Sequence, residues 1–229
     1  MMKLTSPLSH FLRLALGAAL LSSLAACGGG TPADTTSANT VPSYGGGLTP
    51  GSVAMTITHQ VTLTTNYGTI VVGLDSTHAP LSTANFLAYV STGFYNGTLF
   101  QRVISGYVIQ GGGYIDTSGV YSGKTTGAPI GLESRNGLSN KAYTIAMART
   151  DDPNSATSQF YFNLIDNSTT LDYQSGVLLG YAVFGAVSGT DTTSIATINA
   201  IAAVPVNSTT PAPYWPVSDV VIQSAVQNF

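Results

Sequence analysis

Charge is what this sequence has least of: only 7% of its 229 residues are Asp, Glu, Lys or Arg. Seven basic residues face ten acidic ones, for a formal charge of −3. Two of the basic residues, Lys3 and Arg13, lie in the first 26, so the remainder is more acidic still. With no basic stripe, the electrostatic footprint of a nucleic-acid binder is missing. Histidine occurs three times, at His10, His59 and His78, scattered and without a His-Glu-x-x-His spacing. Cysteine occurs once, at Cys27. A zinc site is not expected, nor is any other metal or cofactor. No Gly-x-Ser-x-Gly elbow is present, which removes that type of serine hydrolase. The adjacent acids Asp151 and Asp152 sit in a Pro/Asn/Ser stretch and read as a solvated turn, not a catalytic pair.

The long apolar run of a membrane span is also missing. Leu14 to Leu24 is apolar but too short for a span, follows Lys3 and Arg13, and ends in Leu24-Ala25-Ala26-Cys27. This pattern resembles a bacterial lipoprotein signal, with residues 1–26 removed and Cys27 lipidated. An ordinary cleaved secretory signal would leave a free thiol in an oxidising compartment, where such thiols are usually avoided. Acyl chains anchor firmly, because each buried methylene contributes about 0.8 kcal/mol. Gly28 after the cysteine, by the same resemblance, favours the outer membrane facing the periplasm. Residues 27–54 are rich in Gly, Thr, Ser, Pro and Ala and are predicted to be a tether without regular structure.

What is present from residue 55 to 229 is a folded domain with strand periodicity. Ile57, His59, Val61 and Leu63 alternate along one predicted strand, and Ile70, Val72 and Leu74 along the next, across an Asn66-Tyr67-Gly68 turn. Pro80 opens a predicted helix whose apolar face is Thr83, Phe86, Leu87 and Val90, ended by Gly93. Further strands are predicted at about Leu99–Ile104, Tyr107–Gln110, Tyr143–Ala148, Phe160–Leu164, Tyr181–Val187 and Val217–Val226. A second helix is predicted over Thr192–Ala202, with Ile195, Ile198 and Ile201 inward, and a Pro-rich loop over Val204–Pro216. Many short strands with Gly-rich turns and two helices predict an all-β dominated fold, a closed antiparallel barrel capped at its ends.

Two segments carry polar residues where a plain barrel strand needs none: Phe94–Gly113 and Tyr143–Phe162. Their runs GFYNGTLFQRVI, VIQGGG, TIAMART and NSATSQF, with NGL between and GYAVFG after them, resemble the cyclophilin family of peptidyl-prolyl cis/trans isomerases. The periplasmic bacterial members are the most similar. The resemblance spans about Val61 to Val226. It implies eight antiparallel strands closed into a barrel, two capping helices, and a groove on the outside of the barrel.

The resemblance also implies roles. Arg102 falls in the place of the catalytic arginine and Gln110 in that of the glutamine that orients it and touches substrate backbone. Tyr107, Val108, Ala148, Arg149, Gln159, Tyr161, Leu171 and Tyr181 fall on substrate-binding positions. Thr170 stands where other members carry Trp or Phe. Tyr107 and Tyr161 replace phenylalanines and Val108 a methionine, so two added hydroxyls need partners if buried. Gln101 replaces a histidine and is expected to point away from the groove. Prolyl isomerisation suits this inventory, because it makes and breaks no bond. The function expected is therefore isomerisation of X–Pro bonds in polypeptide segments of envelope proteins, by a monomer held to the membrane by its lipid. A proline-peptide binding module with little turnover is the alternative.

Overall fold

The structure, a computed structural model, describes residues 47–208 and 213–229. The predicted signal, Cys27 and the tether as far as residue 46 lie outside the described residues.

The first alternating runs form β1 (His59–Thr65) and β2 (Gly68–Leu74), paired from His59–Leu74 through to Thr65–Gly68. Every second residue, Val61, Leu63, Ile70, Val72 and Leu74, is fully buried, as a strand with one face on a core requires. Ile57 falls before β1 and is exposed.

Helix α1 (Pro80–Ser91) starts at the expected proline and buries Thr83, Phe86 and Val90. No neighbouring side chain caps it. Glu133 does so from far along the chain: Oε1 accepts from the Leu81 N–H at 2.9 Å, and Oε2 accepts from the Ser82 N–H and hydroxyl, each at 2.7 Å. A carboxylate there satisfies orphan donors of the first turn and meets the positive end of the helix dipole.

The chain continues through β3 (Thr98–Leu99), β4 (Arg102–Ile104), β5 (Val108–Gly111), β6 (Tyr114–Thr117), β7 (Val120–Gly123), β8 (Thr144–Met147) and β9 (Phe160–Asn163). A short helix α2 (Ser168–Leu171), β10 (Val183–Ala186), α3 (Thr192–Ala202) and β11 (Val221–Gln227) complete it. Helix α3 has the predicted bounds, is capped by Asp191 on the Ser194 N–H, and buries Ile198 and Ile201.

These strands form one antiparallel sheet in the order β4-β5-β9-β8-β10-β2-β1-β11-β3-β6-β7. The closed eight-stranded barrel with two helices is thereby corrected: among the described residues there are eleven strands in an open hydrogen-bonded order, and three helices. The difference has two sources. The strand expected over Leu99–Ile104 is split, because Phe100 and Gln101 leave the ladder: β3 pairs with β11, and β4 with β5. The outer edge of β4 is met by a loop, with the Val103 N–H donating to the Tyr214 carbonyl at 2.9 Å. The other source is the β6–β7 hairpin, which the periodicity did not show because most of its residues are exposed. Its two-residue turn, Ser118-Gly119, takes φ of 55° and 84°, as a type I′ hairpin turn demands.

The sheet separates two apolar clusters. One face holds the main core, where Phe86, Tyr95, Phe100, Phe160, Phe162 and Phe184 pack largely edge-on or tilted; Phe86 meets Phe160 at 5.4 Å and 88°. Alternation along β5, β8 and β9 sends Val108, Ala146 and Tyr161 to the other face, where they pack with Leu138, Leu171 and Val183. Residues 47–54, placed in the tether by composition, run along 135–137. The Leu48 N–H donates to the Arg135 carbonyl at 3.0 Å, and Val53 packs on the second cluster.

Candidate active site

Arg102, Gln110 and Tyr161 are successive cross-strand partners on β4, β5 and β9. They form one row on the face that carries the second cluster. Their neighbours Val103, Ile109 and Phe162 point the other way, into the core.

An amide chain links the polar end of this row. Arg102 Nη1 donates to Gln110 Oε1 at a long 3.4 Å. Gln110 Nε2 donates to Gln159 Oε1 at 2.9 Å, and Gln101 Nε2 donates to that same oxygen at 2.6 Å. Gln101 therefore does not point away, as the residue pattern suggested. It is buried beside Gln159, because the break between β3 and β4 interrupts the alternation on which that expectation rested. Burial pushes the half-buried Arg102 guanidinium below its ordinary value, and the nearby Tyr107, Tyr181 and Tyr214 act in the opposite direction. Arginine starts so far above neutrality that the side chain stays cationic.

The apolar end gathers Tyr107, Val108, Ala148, Tyr161, Leu171 and Tyr181 into one cluster. Tyr161 and Tyr181 meet edge to face at 5.9 Å and 81°. Arg149 lies over the Tyr181 ring at 4.5 Å, and its Nε and Nη2 donate to the Gly180 carbonyl at 3.1 and 2.9 Å. Its guanidinium is thus committed to holding the Tyr181 wall. Gly180 permits that wall: its φ is 73°, and a Cβ there would come within 2.5 Å of the Tyr173 nitrogen. The Ala148 N–H donates to the Gln159 carbonyl at 2.9 Å, tying the apolar end to the amide chain.

The two added hydroxyls fare differently. Tyr107 is half-buried, while Tyr161 is buried and donates to Asn140 Oδ1 at 2.8 Å. Burial pushes the Tyr161 phenol well above its ordinary value, and Tyr181, Tyr107 and Asp172 add to this. Thr170 is exposed on α2 and donates to the Asn167 carbonyl. Among the described residues no group of three His, Cys, Asp or Glu stands together as metal ligands would.

All ten expected site residues within the described chain lie along this one face. Sequence reasoning left out Gln101, Tyr214 and Asn140. Gln101 had a signal in its place next to Arg102. Tyr214 and Asn140 had none, since loops distant in sequence bring them to the site.

The cyclophilin type peptidyl-prolyl cis-trans isomerase/CLD family model matches residues 60–227. Peptidyl-prolyl cis-trans isomerase A of Dickeya dadantii is 49% identical over 140 residues, which is 61% of this chain and 70% of that protein. A peptidyl-prolyl cis-trans isomerase of Streptomyces antibioticus is 46% identical over 168 residues, covering 72% of this chain and 96% of the relative. Among solved structures, a cyclophilin type isomerase of Cryptosporidium parvum superposes with a TM-score of 0.59 at 25% identity, covering 75% of this chain and 98% of its own. The chain belongs to the cyclophilin type peptidyl-prolyl cis-trans isomerase family. It is an enzyme of that class.

Proposed function

We propose that the Arg102 face is where the X–Pro bond is turned, with Arg102 as the electrostatic donor and the Tyr107–Tyr181 cluster as the proline pocket. The observation that carries this reading is the juxtaposition itself: one half-buried guanidinium, fixed by an amide chain, at the edge of an apolar cluster on the non-core face.

The barrier to be lowered is about 18–20 kcal/mol of amide resonance. As the bond twists, the nitrogen lone pair leaves conjugation and can accept a hydrogen bond. A planar, permanently charged donor held beside that nitrogen stabilises the twisted state more than either planar one. Val108, Tyr161, Leu171 and Tyr181 hold the proline ring while the preceding carbonyl swings. Gln110 and Gln159 keep the guanidinium in place and offer amide groups to the substrate backbone. Two-dimensional exchange spectroscopy on a short X–Pro peptide tests the reaction, because it reports binding and turnover separately.

The clients in this reading are proline-containing segments of envelope proteins, met by a monomer tethered through Cys27. The composition of residues 1–54 supports that placement. The expressed full chain should then partition into detergent and yield an acylated N-terminal peptide. Cys27→Ser should stay unprocessed or become soluble. A mature N-terminus beyond Cys27, free of lipid, would remove the anchor.

A further inference from the structure

Each polar atom of Asn140 is engaged, and three of its bonds reach residues of the apolar cluster, Tyr161, Leu171 and Tyr181. The residue is fully buried in the stretch before β8. Its Nδ2 donates to Asp172 Oδ1 at 2.8 Å and, at longer range, to the carbonyls of Leu171 at 3.3 Å and Tyr181 at 3.4 Å. Its Oδ1 accepts from the Tyr161 hydroxyl at 2.8 Å and from Asn163 Nδ2 at 3.1 Å. Its N–H donates to Asp172 Oδ1 at 2.8 Å, and its carbonyl accepts from the Asn167 N–H at 2.9 Å.

The direction of the carboxamide is set by chemistry. A carboxylate accepts and does not donate, so the NH2 group must face Asp172. That leaves Oδ1 for Tyr161, whose hydroxyl must then donate. Ser139 donates to the second Asp172 oxygen and steadies the carboxylate. Asn167 extends the network, donating through Nδ2 to Asn163 Oδ1 at 2.8 Å and to the Tyr107 carbonyl at 2.9 Å.

The sheet alone does not place the pocket. Tyr161 is on β9, Leu171 ends α2, and Tyr181 is in the segment before β10. We propose that Asn140 is the positioning residue of the proline pocket: its one buried carboxamide sets the spacing of Tyr161, Leu171 and Tyr181, with Asp172 fixing its direction. This rests on the reading of those three residues as the proline pocket. The pocket grips the ring in the planar and twisted states alike, so Asn140 acts on KM, whereas Arg102 acts on kcat.

The test measures kcat and KM by exchange spectroscopy on an X–Pro peptide, with the full chain, at a temperature where every variant is folded by circular dichroism. Asn140→Ala should raise KM roughly tenfold, the scale of one broken buried hydrogen bond, and leave kcat within about threefold. Tyr161→Phe should do less, because Asn140 keeps its other partners. Added to Asn140→Ala, Tyr161→Phe should change KM no further, since the one bond it removes is already broken. Should Asn140→Ala not fold, Asn140→Ser must show the same rise in KM. A folded Asn140 variant with lowered melting temperature and unchanged KM overturns the proposal. Arg102→Ala, run alongside, separates the two readings. If it loses kcat while Asn140→Ala keeps its KM, only the role of Asn140 falls. If it keeps full kcat, the site itself is misplaced and the proposal falls with it.

Discussion

Arg102→Ala should lower kcat on an X–Pro peptide by about 100-fold or more, the loss seen when one preorganised donor to a developing charge is removed. Its melting temperature should hardly change. The side chain is half-buried and, among the described residues, makes a single long hydrogen bond, to Gln110, so little folding energy rests on it. Arg102→Lys should rescue poorly, because an ammonium is a point charge without the planar fork that reaches both carbonyl and nitrogen. The rate should be flat between about pH 6 and 9. Burial lowers the Arg102 pKa, but from a value far above that window. Burial raises Tyr161 and Tyr181, so both stay neutral through it. The two histidines of the domain bond elsewhere, His59 with Thr58 and His78 with Asp75. A bell-shaped profile in that range would indicate general acid–base chemistry and a different reaction.

Glu133→Ala should produce a large loss of stability. It strips a buried carboxylate from the Leu81 and Ser82 N–H groups and from the buried Ser82 hydroxyl. The two stranded Ser82 donors are buried and cost about 1–3 kcal/mol each, and the Leu81 N–H, on an exposed residue, adds less, so the sum is about 3 kcal/mol. For a chain of this size that lowers the melting temperature by roughly 6–12 °C, measurable by circular dichroism. Glu133→Gln should recover part of it: the amide oxygen still accepts, while its NH2 group is turned toward a donor. A melting temperature unmoved by Glu133→Ala would show that water caps the helix as well as the carboxylate does.

That carboxylate also marks what could be read from the residues in order. Helix α1 was legible from Pro80 and the spacing of Thr83, Phe86 and Val90; its cap was not, because Glu133 is 52 residues from Leu81. Helix α3 was legible from isoleucines at helical spacing, whereas its cap, Asp191, is a finding of the structure. The β6–β7 hairpin had a signal in Ser118-Gly119, but no alternating apolar residues on either side. At the site, the row Arg102, Gln110 and Tyr161 followed from motifs that lie within strands, where the pairing register brings them together. Gln101 departs from the expectation because the ladder breaks between β3 and β4, so strand alternation does not carry through it. Asn140 was invisible because its importance lies wholly in partners from other elements, none of which its neighbours in sequence announce.

The Arg102 face either turns the bond or merely grips it. Exchange spectroscopy with a catalytic amount of the wild-type chain, over a series of X–Pro peptide concentrations, distinguishes the two. Unaided, the isomers interconvert over tens to hundreds of seconds. If this face turns the bond, cis–trans exchange runs well above that background and saturates with peptide. Saturable binding at the Arg102 face, with exchange left at the unaided rate, would contradict the proposed turnover.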